Sequence, residues 1–587
     1  MSPAGTLKND CVGECRLQIL DTLVDRCVIA LFLAFLKLLQ TMTEQQPCEV
    51  CTAPAEQKCS NCHSVFYCSR EHQKQHWKAH KQQCIPARVR EDGKYGRYLE
   101  AIRSVKAGEI IMKESPLISG PSQVTPPVCL GCYKLLEGGK TVSCEKCGWP
   151  FCSEVCTRNV VHTPECHYTQ RRSEKVTIST YGKPHPNYQC ITVLRCLYQR
   201  DNNQKIWSKL QTLESHDEER KNTDKWNNDR KMIAEFIWNF FKLDGVFNEE
   251  EIMKCCGIVQ INGHEVPLLE PEYVAVFDKV SMVEHSCRAN CNKSFASDGQ
   301  IILSAGINIA AGSHVSVCYT DPLWGTEARR HHLSDSKFFE CSCERCSDAT
   351  ELGTMFSAIK CKKKDCKGYL LPDTFVLPIL HKTKSPDPST RGLDNKFWKC
   401  RNCKDEVSDG IIQQLLQDIG RELSVMPKGE PDACERFIGH CSSYLHPSHY
   451  YMTDVSLALA HMVGQQDALG LEEVSNDRLL LKTQLCKKIT DLLETLAPAE
   501  TRLRGSLLFE LHAAVAETGR RKSLTGGPVM MLRYIAESKK ILMESARLLA
   551  HEPPELPEGR LRLQAKINLM DMEALMQNMS AALPAPL

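Results

Sequence analysis

Net charge is almost absent from this chain. Across 587 residues, 73 Lys and Arg stand against 72 Asp and Glu, which leaves +1. That balance excludes a global basic field of the kind that gathers nucleic acid. The basic run Lys362-Lys363-Lys364 reads as a solvated loop. Long apolar runs are missing too. The longest, Val28 to Leu36, is flanked by Asp25, Arg26 and Lys37 and is too short to span a bilayer comfortably. No basic start with a small-residue cleavage site marks a secretory signal, so the run reads as a helix or an optional N-terminal extension. Met42 stands just ahead of the first Cys pair, and a folded protein that effectively begins there is an expectation that intact mass checks. Composition is otherwise ordinary for a soluble protein, with 42% hydrophobic and 25% charged residues, and the chain is too long for one core.

What the chain has in excess is cysteine: 33 residues. In a secreted protein these would form disulfides, but with no export signal the expected compartment is reducing, cytoplasmic or nuclear, where cysteines bind metal. The cysteines are ordered. Cys48, Cys51, Cys59, Cys62, Cys68, His72, His80 and Cys84 form one ladder of eight ligands. Cys129, Cys132, Cys144, Cys147, Cys152, Cys156, His162 and Cys166 form a second in the same order. Each Cys-x2-Cys pair puts two thiolates on one metal from a tight turn, and four such ligands complete a tetrahedral zinc shell. A module this small buries too little apolar area to fold without its metal.

The run from Phe66 through Cys68 and His72 to Trp77, His80 and Cys84 resembles a MYND finger. The resemblance implies interleaved ligands, with Cys48, Cys51, Cys68 and His72 on one zinc and Cys59, Cys62, His80 and Cys84 on the other. It also implies a proline-rich peptide partner. His72 stands where the family usually has Cys. The second ladder repeats the Cys-x3-ligand and His-x3-Cys spacings and reads as a second MYND-like module with two zincs, with His167 a substitute for His162.

Between the ladders, Lys94 to Ile102 and Lys106 to Ile111 read as two short strands joined by a Gly turn. Residues from about 187 to 256 carry helical spacing, as in Ile191, Leu194 and Leu197. Ile258 to Ile261, Gln300 to Ser304 and His314 to Tyr319 read as β-rich runs. A segment Glu284-His285-Ser286-Cys287-Arg288-Ala289-Asn290 precedes Cys341-x-Cys343-x2-Cys346. A split N-terminal Gly motif, an inserted finger, a helical insert, a His-Ser-Cys segment, a terminal Tyr and a Cys-rich tail resemble a SET domain. The arrangement over about 48–349 is similar to the SET-and-MYND protein lysine methyltransferases, especially their divergent arthropod branch.

The resemblance implies an α+β fold: a SET β-fold core with inserted zinc-finger and helical segments, an extra N-terminal MYND finger and an all-α C-terminal domain. The expected segments are an extension at 1–47, a MYND finger at 48–84, the SET N-terminal segment at 85–121 and a second zinc module at 122–168. A helical insert at 169–257, the SET core at 258–321, a post-SET tail at 322–349, a zinc-tetrad linker at 350–405 and helices at 406–587 follow. It also implies S-adenosylmethionine as cofactor and a protein lysine, histone or otherwise, as methyl acceptor. Tyr319 then corresponds to the catalytic tyrosine, and Gly96, Arg97, Asn262, Ser281, Glu284, His285 and Phe339 to cofactor contacts. Ser281 is expected in the strand before the His-Ser-Cys segment. Cys287 joins Cys341, Cys343 and Cys346 on one structural zinc that pins the tail over the site.

The chain departs from the family pattern in four places. Glu284 replaces an Asn, Ala289 a Pro and Tyr98 a Gly, and His314 stands where an acid is common. These carry a second reading: a SET scaffold with weak or no catalysis that acts as a MYND-mediated transcriptional repressor or adaptor among chromatin-associated proteins. Neither reading calls for a membrane or for direct nucleic-acid contact. Further on, Cys361, Cys366, Cys400 and Cys403 form another structural zinc tetrad, interrupted by a Pro-containing loop around Ser385 to Ser389. From about 408 onward, helical spacing (Ile411, Ile412, Leu415, Leu416, Ile419) predicts a helical bundle or loose repeat array.

Overall fold

The computed structural model describes residues 47–59, 65–81, 84–93, 96–376, 397–465 and 470–582. The expectations for Val28–Leu36, Met42, Cys62 and the Ser385–Ser389 loop lie outside the described residues. At the N-terminal end, a two-stranded ladder (Gln57–Lys58 with Phe66–Tyr67) leads into the helix Arg70–His80. The Ser69 side chain accepts from the His72 amide and so caps that helix.

Three small sheets then wrap one core. The first orders Glu284–His285, His314–Val317, Gly96–Ala101 and Ala87–Asp92, with the first pair parallel and the others antiparallel. The second orders Cys291–Phe295, Ile301–Ala305 and Ile110–Glu114, and the third Ile118–Pro121, Tyr273–Val276 and Gly263–Val266. Leu99, Ile111, Ala275, Leu303 and Val315, one or more from each sheet, are buried against one another. Each strand presents alternate residues inward, so the three sheets share one apolar interior.

The second zinc module does not stand alone. Trp149 and Phe151 from its ladder are fully buried in a cluster shared with Tyr188, Ile191 and Leu194 of the helical insert. One expectation is overturned nearby: Ile258–Ile261 forms no strand but the last turns of the helix Glu249–Asn262. Asn248 and Glu251 close a capping box at its start, and the helical apolar spacing persists through Ile258 before the chain turns extended at Gly263. Ser281 likewise lies in a short 3-10 helix, Val280–Met282, rather than in a strand.

Beyond residue 350, a four-stranded sheet (Ile359–Lys360, Tyr369–Pro372, Phe397–Cys400, Glu406–Ser408) precedes helices Asp409–Val425, Pro431–Cys441, Tyr450–Met462, Asn476–Leu496, Thr501–Leu548 and Pro557–Ala582. The helix Thr501–Leu548 is broken at Gly527, whose φ of 71° and following Pro528 interrupt the hydrogen-bond ladder. No described helix is long and apolar enough to cross a membrane.

These helices dock directly on the three-sheet region. Asn292 donates to the Thr501 hydroxyl at 2.8 Å, Arg288 Nε donates to Thr495 O at 2.9 Å, and Ser294 donates to His551 O at 2.8 Å. A Cβ at Gly306 would lie 2.4 Å from the Ala499 Cα, so the two segments meet backbone to backbone there. Within this seam, burial pushes the Glu552 carboxyl up to about 7, reinforced by Glu558 and Glu500 and only partly offset by Arg502 at 3.1 Å. An unfolded Glu titrates near ~4.3. The folded state therefore binds more protons between these values, and stability falls as pH rises through that window. E552Q, which stays neutral, should flatten this loss; thermal unfolding at pH 5 and pH 8 checks it.

Candidate functional site

The metal tetrads assemble from distant segments. Cys48, Cys51, Cys68 and His72 form one group whose ligand atoms lie within 4.8 Å of one another, and Cys129, Cys132, Cys152 and Cys156 form another. Cys144, Cys147, His162 and Cys166 form a third, Cys287, Cys341, Cys343 and Cys346 a fourth, and Cys361, Cys366, Cys400 and Cys403 a fifth. Both ladders are interleaved. In the first finger, the Cys59 and Cys84 sulfurs are 3.6 Å apart and His80 is buried. His162 rather than His167 enters its tetrad.

Thiolate and imidazole donors at tetrahedral spacing fit zinc. Four thiols this close cannot all ionise unless a cation shares the site. Hydrogen bonds from Cys341, Cys343 and Cys346 hold the Cys287 thiol far below its usual value, and the same contacts push Cys341 and Cys346 far above theirs. Arg329 Nη2 lies 3.8 Å from Cys346 Sγ, and both Arg329 and the neighbouring Arg345 converge on Glu351, at 3.1 and 2.9 Å.

The second module carries an outer shell that its ligand spacing did not reveal. His162 Nε2 is 3.3 Å from Cys147 Sγ, while its Nδ1 donates to Glu165 Oε1 at 3.0 Å. That bond fixes the tautomer that leaves Nε2 free for metal. Burial works to raise the Glu165 carboxyl, but Arg195 and His162 hold it below the usual range. Arg195 grips Glu165 with two nitrogens, at 2.6 and 3.0 Å, and spends its remaining donors on Ser119 O, Leu130 O and the Tyr133 hydroxyl.

A cavity of about 800 Å³ opens where the SET core meets the C-terminal helices. Tyr319, Asn262, Ser281 and Cys287 line it, together with His264, Glu265, Lys293, Lys337 and Arg502. Tyr319 follows the strand His314–Val317, and its hydroxyl donates to Val283 O. Its amide donates to His285 Nδ1 at 3.0 Å, and His285 Nε2 lies 3.3 Å from Cys287 Sγ. Burial, with Glu284 adding to it, raises the Tyr319 phenol well above the ordinary range, so the hydroxyl stays protonated.

Gly96, Arg97, Glu284, His285 and Phe339 lie outside that lining. The first four belong to the four-stranded sheet behind Tyr319, and Phe339, 36% exposed, has its ring 5.8 Å from the His285 ring. Gly96 is left-handed (φ 64°), and a Cβ there would meet nothing within 4 Å, which leaves its backbone open to a ligand. Both amide protons of Asn262 are spent, on Glu214 O at 2.7 Å and Ile258 O at 3.0 Å, so only its carbonyl oxygen remains to accept. Ser281 donates to Phe277 O.

Three of the four departures turn out to be neighbours. His314 Nδ1 is 2.9 Å from Glu284 Oε2, and the Tyr98 ring stacks on His314 with centroids 4.2 Å apart and planes inclined by 10°. The acid is not lost from this corner; it has moved from one strand to its partner. Sequence reading missed that pairing, along with Glu165, Lys293 and Lys337. The i,i+3 spacing of His162 and Glu165 on one helical turn was the available signal for the first of these.

A family model for the MYND finger matches residues 48–84. The chain is 26% identical over 317 residues to "SET domain-containing protein SmydA-8, isoform A" of Drosophila melanogaster, which covers 53% of this chain and 63% of that protein. Isoform B gives 27% over 323 residues, with 53% and 64% covered. "Histone-lysine N-methyltransferase SMYD3" of Homo sapiens gives 22% over 278 residues, covering 43% of this chain and 59% of that one. The chain thus spans just under two thirds of the length of the curated relatives it matches. The solved structure "Crystal structure of the SET domain of LSMT bound to Lysine and AdoHcy" aligns over 86% of this chain and 95% of that one at 11% identity. Its TM-score of 0.26 is too low to argue from. The three-sheet core has the mixed architecture of a SET domain, preceded by a MYND finger at 48–84 and followed by further interleaved metal tetrads. Over about half of its length the chain is similar to SET-and-MYND proteins.

Glu165 generates a direct prediction. E165Q should keep the fold but weaken zinc at the Cys144, Cys147, His162, Cys166 site by about 10- to 100-fold. Competition with a graded chelator, read as zinc released per chain, checks it, with the Cys361 tetrad as the unaffected internal reference.

Proposed function

We propose that the protein is an S-adenosylmethionine-dependent protein-lysine methyltransferase of a reducing compartment, cytoplasm or nucleus. The observation that carries the reading is the tie from Cys287 through His285 to Tyr319, which builds one end of the cavity from the metal site. The names of the human and fly relatives support it, since the former is a histone-lysine methyltransferase.

Bound beside this end, S-adenosylmethionine supplies the methyl group and its sulfur leaving group. The chain's own residues then orient and exclude. The Tyr319 hydroxyl, kept protonated and aimed at Val283 O, sets oxygen dipoles around the position the acceptor amine would take. The Asn262 carbonyl oxygen is the free acceptor for an ammonium group. Gly96 and Arg97 offer backbone at the sheet edge, His285 its own backbone, and Phe339 an aromatic face for the adenine. Glu284 Oε2 lies 2.9 Å from His314 Nδ1, so this carboxylate oxygen is engaged within the sheet rather than left bare toward the carboxylate of the cofactor. The Cys287 tetrad is a closed structural site with four protein ligands and no open position.

Isothermal titration of zinc-replete protein with S-adenosylmethionine tests the reading. We expect stoichiometric binding that C287S abolishes. Y319F should bind normally yet transfer methyl groups to lysine peptides slower by about 10²- to 10³-fold. No binding by the intact protein would return the weight to the scaffold reading, a MYND-mediated adaptor whose first finger takes a proline-rich partner.

A further inference from the structure

Two lysines in the cavity have no place in this mechanism. Lys293 projects from the strand Cys291–Phe295 and lines the cavity, as does Lys337, the last residue of the helix Thr326–Lys337. Lys337 Nζ donates to Ile261 O at 2.7 Å and Gln260 O at 3.3 Å, the free carbonyls at the end of the helix Glu249–Asn262. Those partners are neutral. Among the described residues neither ammonium forms an ion pair, and the Lys293 ammonium has no hydrogen-bond partner either.

Both feel the lack. Burial, then the charge of Arg502, pulls Lys293 below the usual lysine range; burial, then Lys293, pulls Lys337 down to about 8. Three acids line the cavity, Glu265, Glu272 and Glu500; Glu265 acts on both lysines and Glu500 on Lys293, each from beyond ion-pair distance. Arg502 is already engaged with Glu552. Enclosing cations that have no ion-pair partner is costly, and a ligand that brings carboxylates within ion-pair distance would offset that cost.

The unpaired lysines bear on what enters. An acceptor lysine arriving as an ammonium would meet two like charges near Tyr319. Carboxylates on the same segment would neutralise both lysines as the acceptor seats. We infer that the cavity beside Tyr319 takes an acidic protein segment, an acceptor whose own carboxylates pair with Lys293 and Lys337. This rests on the methyltransferase reading for the word acceptor, but the binding preference stands apart from any transfer.

The experiment uses the full zinc-replete chain and fluorescein-labelled, lysine-centred degenerate peptide pools that differ only in flanking Glu, Gln or Lys. Anisotropy is read without methyl donor. We expect the Glu-flanked pool to bind about tenfold or more tighter than the Gln-flanked pool, a gap that narrows at high salt. K293Q and K337Q should each erode that gap while leaving the Gln-flanked pool unchanged, and K293E should favour the Lys-flanked pool. Removal of a half-buried charge with no ion-pair partner should not lower Tm, so thermal unfolding of K293Q verifies that the variant is folded. Equal binding of the Glu and Gln pools, no binding of the Glu pool, or a preference that survives both substitutions would overturn the inference. Titration with S-adenosylmethionine in parallel separates this result from the fate of the methyltransferase reading.

Discussion

His285 is held at both ring nitrogens, and the functional end of the molecule hangs on that constraint. Nδ1 accepts the Tyr319 amide proton, so the ring's own proton sits on Nε2 and faces the Cys287 sulfur. A thiolate bound to zinc is a good acceptor for that proton; a free thiol is a poor one. Zinc held by the Cys287 tetrad would therefore favour this tautomer, in which Nδ1 is free to accept the Tyr319 amide and hold the backbone from which the phenol points. None of these groups needs to touch a substrate for its loss to be felt at the cavity.

The same logic is used at the charges around the metals. Four thiolates on a divalent cation leave two negative charges, and two buried arginines sharing Glu351 leave one positive charge against them. At the Cys144, Cys147, His162, Cys166 site of the second module, with three thiolates and one imidazole, the residual charge is smaller and the compensation differs. Arg195 is matched by Glu165, and the carboxylate is spent on orienting His162. At these two sites the outer shell follows the inner charge.

The ligand ladders were legible in the sequence because their spacing is short and repeated, and so was the α+β order of strands, insert and helices. Ile258–Ile261 was misread because three β-branched apolar residues around Gln260 fit a strand as well as a buried helix end; only the capping box at Asn248, ten residues earlier, decides it. Tyr98, Glu284 and His314 looked like three separate losses, because residues 98, 284 and 314 are far apart along the chain. They become one compensated cluster only when the sheet brings their strands side by side. Lys293 and Lys337 were silent for a different reason. A lysine in a strand or at a helix end is ordinary in sequence, and only enclosure makes it costly.

That enclosure comes from the C-terminal helices. Ala497, Ala499, Glu500 and Arg502 form one wall of the cavity, and the backbone contact of Gly306 with Ala499 fixes how closely that wall stands. Arg502 belongs to both the wall and the seam, since its partner Glu552 titrates near 7. Above that pH the pair is balanced and Arg502 adds little to the field at Lys293. Below it Glu552 is neutral, and the Arg502 charge counts in full toward the cavity. The helical region thus sets the charge of the cavity as well as its shape, and does so through a residue that never enters it.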